Sequence, residues 1–573
     1  MSVSIKELRE KEGSKVEEIS WNISNRMREF GNTSIYGGFC LAYVSYLSLK
    51  NAIKNVHQLM EYVELTFSPE RVSFIKENIK NLWNVAIEIA EEYSEDELLA
   101  TVLWWQLQGN RLVGECETPQ SIVKLANKIL QISNDKVADF CSGIGAFLVS
   151  AIEKNPESQF YGIEIVSDAK EMSAIRTELI SDQVKIEQKS VLNINDNLMF
   201  DKIFCDYPWG IKAKDSTGSS EKLKAIYDVI PEVQKAAAGD WIFIINVMNH
   251  LSKNGKAVVS VSNGVTWNGG NNTIIREKFI KHGFVEAVIA LPQNLYLNTG
   301  IACSLLVLSR NNKNIRMIDA MEMVSVGRRQ NVLSDKNISK IIELLNTDDD
   351  NSKLVTAEEV AANEYILNPS RYFQKEIVIK NGVPFESVIK NITRGAQIKA
   401  SVLDEIVADK PTNMQYLMLA NLQDGIISDD LPCLKEMDPK YEKYCIKNGS
   451  LVISKNVSPV KMAIASVKEG NKILANGNLY VIELDEDKIN PYFLKAYLES
   501  ENGKASLSRV AVGATLLNLP VEGLKKVIIP LPDLKSQKKI ADKYYAKINE
   551  IKELKYKLEK ATAELEHIYT EEK

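Results

Sequence analysis

The sequence predicts a multidomain chain in four parts: a helical N-terminal domain (residues 1–112), an α/β domain on a mainly parallel sheet (113–375), a mixed α/β domain (383–535) and a C-terminal coiled-coil helix (536–573). Three observations carry this reading. Apolar residues recur three and four apart before residue 112, short Val/Ile-rich runs then alternate with helical stretches, and a heptad-like pattern closes the chain.

The helical part is read from Ser20-Trp21-Asn22-Ile23, from Leu41 to Leu49 and from Phe74 to Ile89. Strands follow at Lys136-Val137-Ala138-Asp139-Phe140 and Phe160-Tyr161-Gly162-Ile163-Glu164-Ile165, then at Asp201 to Cys205, Lys256 to Val261 and Val285 to Leu291. Strands alternating with helices imply a parallel sheet covered on both faces. A helix is expected from Ile338 to Leu345, and a second strand-rich region holds Tyr416 to Leu419, Ser450 to Ser454, Lys461 to Val467 and Leu479 to Leu484. In the last segment Ile551, Leu554, Leu558, Ala561, Leu565 and Ile568 alternate in steps of three and four, with Lys and Glu on the flanks. That seam fits a coiled coil, within the chain or between chains, and equally an amphipathic helix lying on its own domain.

Composition narrows the classes. The 573 residues are 45% hydrophobic and 25% charged, ordinary values for a globular protein and too many residues for one core. No apolar run is long enough to span a bilayer, and Met1 to Glu7 does not read as a signal peptide, so a cytoplasmic location with no membrane partner is expected. Seven cysteines without Cys-x-x-Cys spacing and four histidines argue for reduced thiols and against a metal site or a disulfide framework. A net charge of -6 neither requires nor excludes nucleic acid, because basic surfaces coexist with acidic totals.

Chemistry concentrates at two turns. Asp139-Phe140-Cys141-Ser142-Gly143-Ile144-Gly145-Ala146-Phe147 lies where the first strand turns into a helix, and Gly143 and Gly145 permit close approach of a ligand to backbone. Glu164 ends the next strand, where a carboxylate can accept both hydroxyls of a ribose. The pair suits S-adenosylmethionine or NAD, or an unoccupied turn. The second turn, Asp206-Tyr207-Pro208-Trp209, follows the apolar run Lys202 to Cys205 and resembles the Asp/Asn-Pro-Pro-aromatic signature of amino-methylating enzymes, with Tyr at the second position. An exocyclic base nitrogen is a poor nucleophile, and an Asp206 oxygen with the Tyr207 carbonyl could accept its N–H groups while Trp209 offers an aromatic face to a flipped base.

The order Thr118-Pro119, glycine turn, Asp206 turn is that of the gamma group of DNA adenine methyltransferases. Further blocks, Gly255 to Val259, Ser262-Asn263-Gly264, Asn268-Gly269-Gly270, Ile275-Arg276, Leu291-Pro292-Gln293-Asn294-Leu295-Tyr296, Thr299-Gly300-Ile301, Leu305 to Leu308 and Leu367 to Tyr372, resemble the modification subunit of type I restriction-modification systems. The resemblance implies a Rossmann-like, S-adenosylmethionine-dependent N6-adenine methyltransferase over 113–375. It implies that Asp139, Gly143, Gly145 and Glu164 bind S-adenosylmethionine, with Phe147 in the same turn, Thr118 and Pro119 at the methionine end, and Ser190 where relatives often carry Asp. Asp206, Tyr207, Pro208 and Trp209 would hold the adenine. Proline at position 207 is then expected to preserve or raise activity.

Beyond residue 380, Val383-Pro384-Phe385, Ile392-Thr393-Arg394-Gly395, Asn448 to Ser454, Val512-Gly513-Ala514-Thr515, Ile529 to Pro532 and Gln537 to Ala541 resemble half of a type I specificity subunit. That implies one target-recognition domain and a dimerisation helix, so that two chains would rebuild a reader of two half-sites on double-stranded DNA. Candidate DNA contacts are Arg394, Lys399, Lys455, Lys461, Lys468 and Lys472. No nuclease or Walker motif is evident, so cleavage would need a separate restriction subunit. The competing reading is a catalytically impaired methylase-fold protein that only binds DNA, with Tyr207 and Ser190 marking the loss.

Overall fold

The computed structural model describes residues 5–32, 34–106, 117–194, 197–210, 239–297, 299–327, 330–373, 379, 381–456, 459–511 and 518–571. Contacts gather the chain into two compact units, Met1–Phe373 and Gln374–Lys573. The first holds the expected helical and α/β segments together.

Seven helices open it: α1 Ile5–Glu12, α2 Val16–Glu29, α3 Gly37–Lys50, α4 Val56–Thr66, α5 Pro69–Ile79, α6 Trp83–Glu92 and α7 Glu95–Leu103. Their starts are written locally. Asn55 caps α4, Ser68 caps α5 with Pro69 at its first turn, and Ser94 and Glu97 form a capping box on α7. The single helix expected from Phe74 to Ile89 is two, because the chain turns at Lys80 with φ 51°; Ile75 and Ile79 then enter the same core as Leu82, Trp83 and Ile89. That core also takes in Ile144, Ala169, Met172 and Ile175 from the α/β segment. Arg71 reinforces the join, donating to Glu171 at 3.2 Å and to both oxygens of Glu178 at 2.7 and 3.1 Å.

The α/β segment carries α8 Gln120–Leu130, α9 Ala146–Lys154, α10 Ser167–Glu178 and α11 Asp240–His250 around strands β1 Lys136–Phe140, β2 Gln159–Glu164, β3 Val184–Gln188, β4 Phe200–Cys205 and β5 Leu251–Ser262. The sheet continues through β6 Val285–Ala290, β7 Cys303–Leu308, β8 Asn314–Asp319 and β9 Ser352–Thr356, in the order β3-β2-β1-β4-β5-β7-β6-β8-β9. From β3 to β5 all neighbours are parallel, as the sequence suggests. The other half is mixed. β7 runs antiparallel between β5 and β6, since the described residues of the connection from β6 to β7 form no helix to make a crossover, and β9 is antiparallel to β8. Apolar side chains on the two faces fall into separate cores, one with Ala138, Phe140 and Ile203, the other with Val137, Phe204 and Val258.

In the second unit a four-stranded antiparallel sheet runs in the order Ile389–Arg394, Leu479–Leu484, Leu451–Ser454, Met462–Ile464. Leu451 and Ile453 face one core and Val452 the other, so the strand is apolar without alternation. Met414–Leu417 pairs in parallel with Lys472–Ala475 beside it. Gly395 is set by packing: a Cβ there would lie 2.2 Å from the Asn476 carbonyl oxygen. Val512 to Thr515 lie outside the described residues.

The closing helix spans Leu534–Glu571, two residues longer at its start than the sequence indicated, and its two halves differ in burial. Ala541 and Ile548 are buried, and Tyr545 meets Tyr492 edge-on at 4.8 Å. Further along, Leu554, Leu558 and Leu565 are 58%, 67% and 68% exposed, so the seam there lies open; the Ile568 side chain is outside the described residues. Gln537 fixes the anchored half. It is buried, accepts from the Asn490 N–H at 2.8 Å and donates to the carbonyls of Lys488 at 3.0 Å and Pro532 at 2.8 Å. Gln537→Ala strands three backbone groups and should cost about 2–4 kcal/mol, read from urea unfolding of the full chain.

Candidate active site

Parallel register brings the two turns together. Phe140 on β1 pairs with Ile163 on β2 and with Cys205 on β4, and Cys205 pairs with Val259 on β5. The glycine turn, Glu164, Asp206 and Ser260 therefore all emerge at the carboxyl ends of adjacent strands, where open α/β sheets bind ligands.

The glycine turn is built around Glu164, which is 6% exposed. Its Oε2 accepts from the Gly143 N–H at 2.7 Å and its Oε1 from Ile165 and Val166 N–H at 2.9 and 2.8 Å, so the carboxylate is aimed by backbone alone. Gly143 and Gly145 both have positive φ, 52° and 81°. At Gly145 a side chain is also excluded by α10, since a Cβ would lie 2.5 Å from Ser173 Oγ and 3.2 Å from Ser173 Cα. The Ser142 hydroxyl in the turn is buried without a hydrogen-bond partner. Asp139 is 2% exposed, and burial, with the charges of Asp206 and Glu164, holds its carboxyl well above the usual range. Ile165 and Val166, just past Glu164, are half exposed apolar residues that the sequence reading passed over.

At the second turn nearly every side chain is held. Asp206 Oδ2 accepts from the Thr118 hydroxyl at 2.7 Å, and the Tyr296 hydroxyl lies 3.1 and 3.0 Å from its two oxygens. Ser260 Oγ meets the same Tyr296 hydroxyl at 2.8 Å. Burial raises the Asp206 carboxyl to about 6, against the lowering effect of Thr118, Tyr296 and Ser260. Trp209 donates from Nε1 to the Ser260 carbonyl at 3.2 Å and packs edge-on against Tyr296, ring centres 4.7 Å apart. Tyr207 is 1% exposed and its ring stacks on Phe243 of α11 at 4.9 Å. Its hydroxyl and Asp240 Oδ1 are buried without a hydrogen bond of normal geometry, yet Asp240 is close enough for its charge, after burial, to raise the phenol. Pro208 alone of the four is exposed.

Other sequence candidates fall differently. Pro119 is buried at the N-terminus of α8, and Thr118 reaches Asp206 rather than the glycine turn. Phe147 is 1% exposed and stacks on Phe204 with ring centres 4.6 Å apart, so its surface is spent on the core beneath the turn. Ser190 caps a short 3-10 turn after β3, accepting from Leu192 N–H at 3.3 Å. In the second unit Arg394, Lys399 and Lys468 are exposed, and Arg394 donates from Nε to the Gly477 carbonyl at 3.0 Å. Lys455 is lowered by burial and by its neighbour Arg394, and Lys461 is partly buried with its charge acting on Asp424. Lys472, the last of the candidate DNA contacts, pairs with Glu442 at 2.5 Å.

Comparison with known proteins gives the geometry a family context. Residues 106–380 match the family described as N-6 DNA Methylase, and residues 422–560 match the Type I restriction modification DNA specificity domain. The two matched segments are those of an N-6 DNA methylase and a type I specificity domain. The methylase domain contains both turns. Over 311 residues the chain is 25% identical to the Type I restriction enzyme MjaIX methylase subunit of Methanocaldococcus jannaschii, covering 49% of this chain and 55% of that protein. It is 26% identical over 296 residues to the MpnII methylase subunit of Mycoplasma pneumoniae, covering 46% and 53%. The chain thus spans about half the length of these relatives. A type I methyltransferase subunit structure from Streptococcus thermophilus overlaps 59% of this chain and 80% of that one, at 18% identity and a TM-score of 0.47.

Two outcomes follow from the acceptor turn. Because the folded state holds the Asp206 proton up to about pH 6 whereas a free carboxyl loses it near 3.8, stability falls as pH rises between those values. Asp206→Asn removes that penalty, so the variant should be more stable than wild type by roughly 3 kcal/mol at pH 7.5, the gap closing toward pH 4; thermal melts across pH read this directly. Tyr207→Pro, expected from sequence to preserve or raise methylation, deletes a buried ring stacked on Phe243 and should cost about 3 kcal/mol or more by urea unfolding.

Proposed function

We propose that the protein is a sequence-specific DNA adenine N6-methyltransferase, the modification component of a restriction-modification system, acting on a flipped adenine with S-adenosylmethionine as donor. The observation that carries this reading is the placement of the Asp206 turn beside the glycine turn and Glu164, within the segment matching the methylase family.

The donor fits the residues present. The carboxylate of Glu164 keeps acceptor capacity on Oε2, the Ser142 hydroxyl is buried and unpaired, and Ile165 and Val166 present apolar surface for a nucleobase. Asp139 and the backbone of Gly143 and Gly145 complete the proposed pocket, with Thr118 and Ser190 at its edges. When bound, S-adenosylmethionine supplies an electrophilic methyl group on a positively charged sulfur, and an acidic surround suits that charge.

Asp206 serves the adenine amino group as both hydrogen-bond acceptor and proton acceptor only when ionised, since a neutral carboxyl keeps one acceptor oxygen but cannot take a proton. Above about pH 6 it accepts an N–H and can take the proton that nitrogen gives up, whereas below that pH its own proton opposes the amino group. The Tyr207 carbonyl is the proposed second acceptor, Pro208 the exposed lip, and Trp209 the aromatic wall. Tyr296 and Ser260, to which the sequence assigned no part in the site, hold Asp206 in place.

The four-part division, with target recognition in 383–535 and dimerisation through the C-terminal helix, is part of the same proposal. The open seam at Leu554, Leu558 and Leu565 supports pairing of two chains on double-stranded DNA, with Arg394, Lys399, Lys455, Lys461 and Lys468 as proposed contacts. Among the described residues no helix is long and apolar enough to cross a membrane, and a cytoplasmic site of action is proposed. Cleavage is assigned to a separate subunit. Packing around Tyr207 supports activity over the impaired alternative, since the residue that departs from the family pattern is itself anchored.

DNA from a strain expressing wild-type protein should yield N6-methyladenine on digestion and mass detection, with loss of at least a thousandfold in Asp206→Ala and an acid limb in the purified enzyme near pH 6. Folded, donor-binding wild type that leaves no N6-methyladenine would sink the reading.

A further inference from the structure

Arg176 is a buried cation that the proposed chemistry does not use. It lies near the end of α10, 1% exposed, and donates from Nε and Nη2 to the Leu103 carbonyl at 2.9 and 2.6 Å and from Nη1 to the Ile144 carbonyl at 2.8 Å. Leu103 is the last residue of α7, so its carbonyl belongs to the group a helix leaves unpaired, at the end where a positive charge is favoured. Ile144 lies between Gly143 and Gly145. Three residues back on the same face of α10, Ser173 is the atom group that forbids a Cβ at Gly145. One helical face therefore sets the glycine turn from two sides.

A third segment is involved. Burial pulls the Arg176 guanidinium down to about 10, still a cation at neutral pH, and the carboxylate of Glu117 opposes that pull. Glu117 immediately precedes Thr118, whose hydroxyl donates to Asp206.

We infer that Arg176 is a positioning residue for methyl transfer, tying the glycine turn to the last N-terminal helix. The inference rests on the proposed reaction for its meaning but not for its geometry. Main-chain carbonyls are its direct partners, so no single substitution elsewhere replaces it, and a lysine can reach only part of the set because its point charge lacks the guanidinium fork.

The test compares full-length wild type, Arg176→Met and Arg176→Lys by calorimetric titration with S-adenosylmethionine and by N6-methyladenine formation. Arg176→Met, which keeps most of the side-chain volume, should bind the donor at least tenfold more weakly, and Arg176→Lys about threefold more weakly, with retention on DNA unchanged in both. If folded Arg176→Met and Arg176→Lys titrate with wild-type affinity, the inference is overturned and Arg176 serves stability alone. Should Arg176→Met fail to fold, Arg176→Lys decides by the same criterion. Wild type that binds donor without methylating DNA overturns the proposed function, while the donor titration still decides for or against Arg176.

Discussion

The register that sets Phe140 opposite both Ile163 and Cys205 is the constraint on which the rest of the molecule depends. Side chains on a strand alternate, so a one-residue slip of β4 would turn Asp206 toward the opposite face and separate it from Thr118 and Tyr296. Burial on both faces holds that register. The β1 and β4 strands each feed one core through Phe140 and Ile203 and the other through Val137 and Phe204, so no slip leaves the apolar surface covered.

The same gathering has an electrostatic cost. Asp139, Glu164 and Asp206 converge in a space where burial raises two of the three carboxyls. The fold offsets this unevenly. Glu164 is met by three backbone N–H groups, and Asp206 by two neutral hydroxyls, which orient a carboxylate without neutralising it. Neutral partners leave the group responsive to pH near 6, whereas an arginine at that position would have fixed it ionised.

Legibility in the sequence followed the range of the interactions. Gly143, Gly145, Glu164 and the Asp206 turn were readable because each lies at a strand end within a short segment that carries its own pattern. Thr118 was found through order along the chain, yet its partner was not, since Asp206 lies far away in sequence. The roles of Tyr296, Ser260 and Arg176 were not legible: their partners, the Asp206 carboxylate, a hydroxyl and backbone carbonyls, lie far along the chain, which no periodicity encodes. Phe147 illustrates the reverse error. Proximity to the glycines suggested a ligand contact, but as the second residue of α9 it faces inward onto Phe204. The ion pair of Lys472 with Glu442, 30 residues away along the chain, is likewise invisible to composition.

The closing helix carries two stabilities in one continuous element. Up to Ile548 its amides are shielded by packing against Tyr492 and Lys495 and by the Gln537 bonds, whereas beyond Ile551 the backbone hydrogen bonds face water with the Lys555–Asp424 ion pair at 2.5 Å as a tether. Helical turns without tertiary support open and close on their own, because propagation in water is nearly neutral per residue. Amide exchange along Leu534–Glu571 should therefore run as a gradient, slow at the anchored end and fast at the free end, and the free turns hold their shape only as far as something apolar covers their seam.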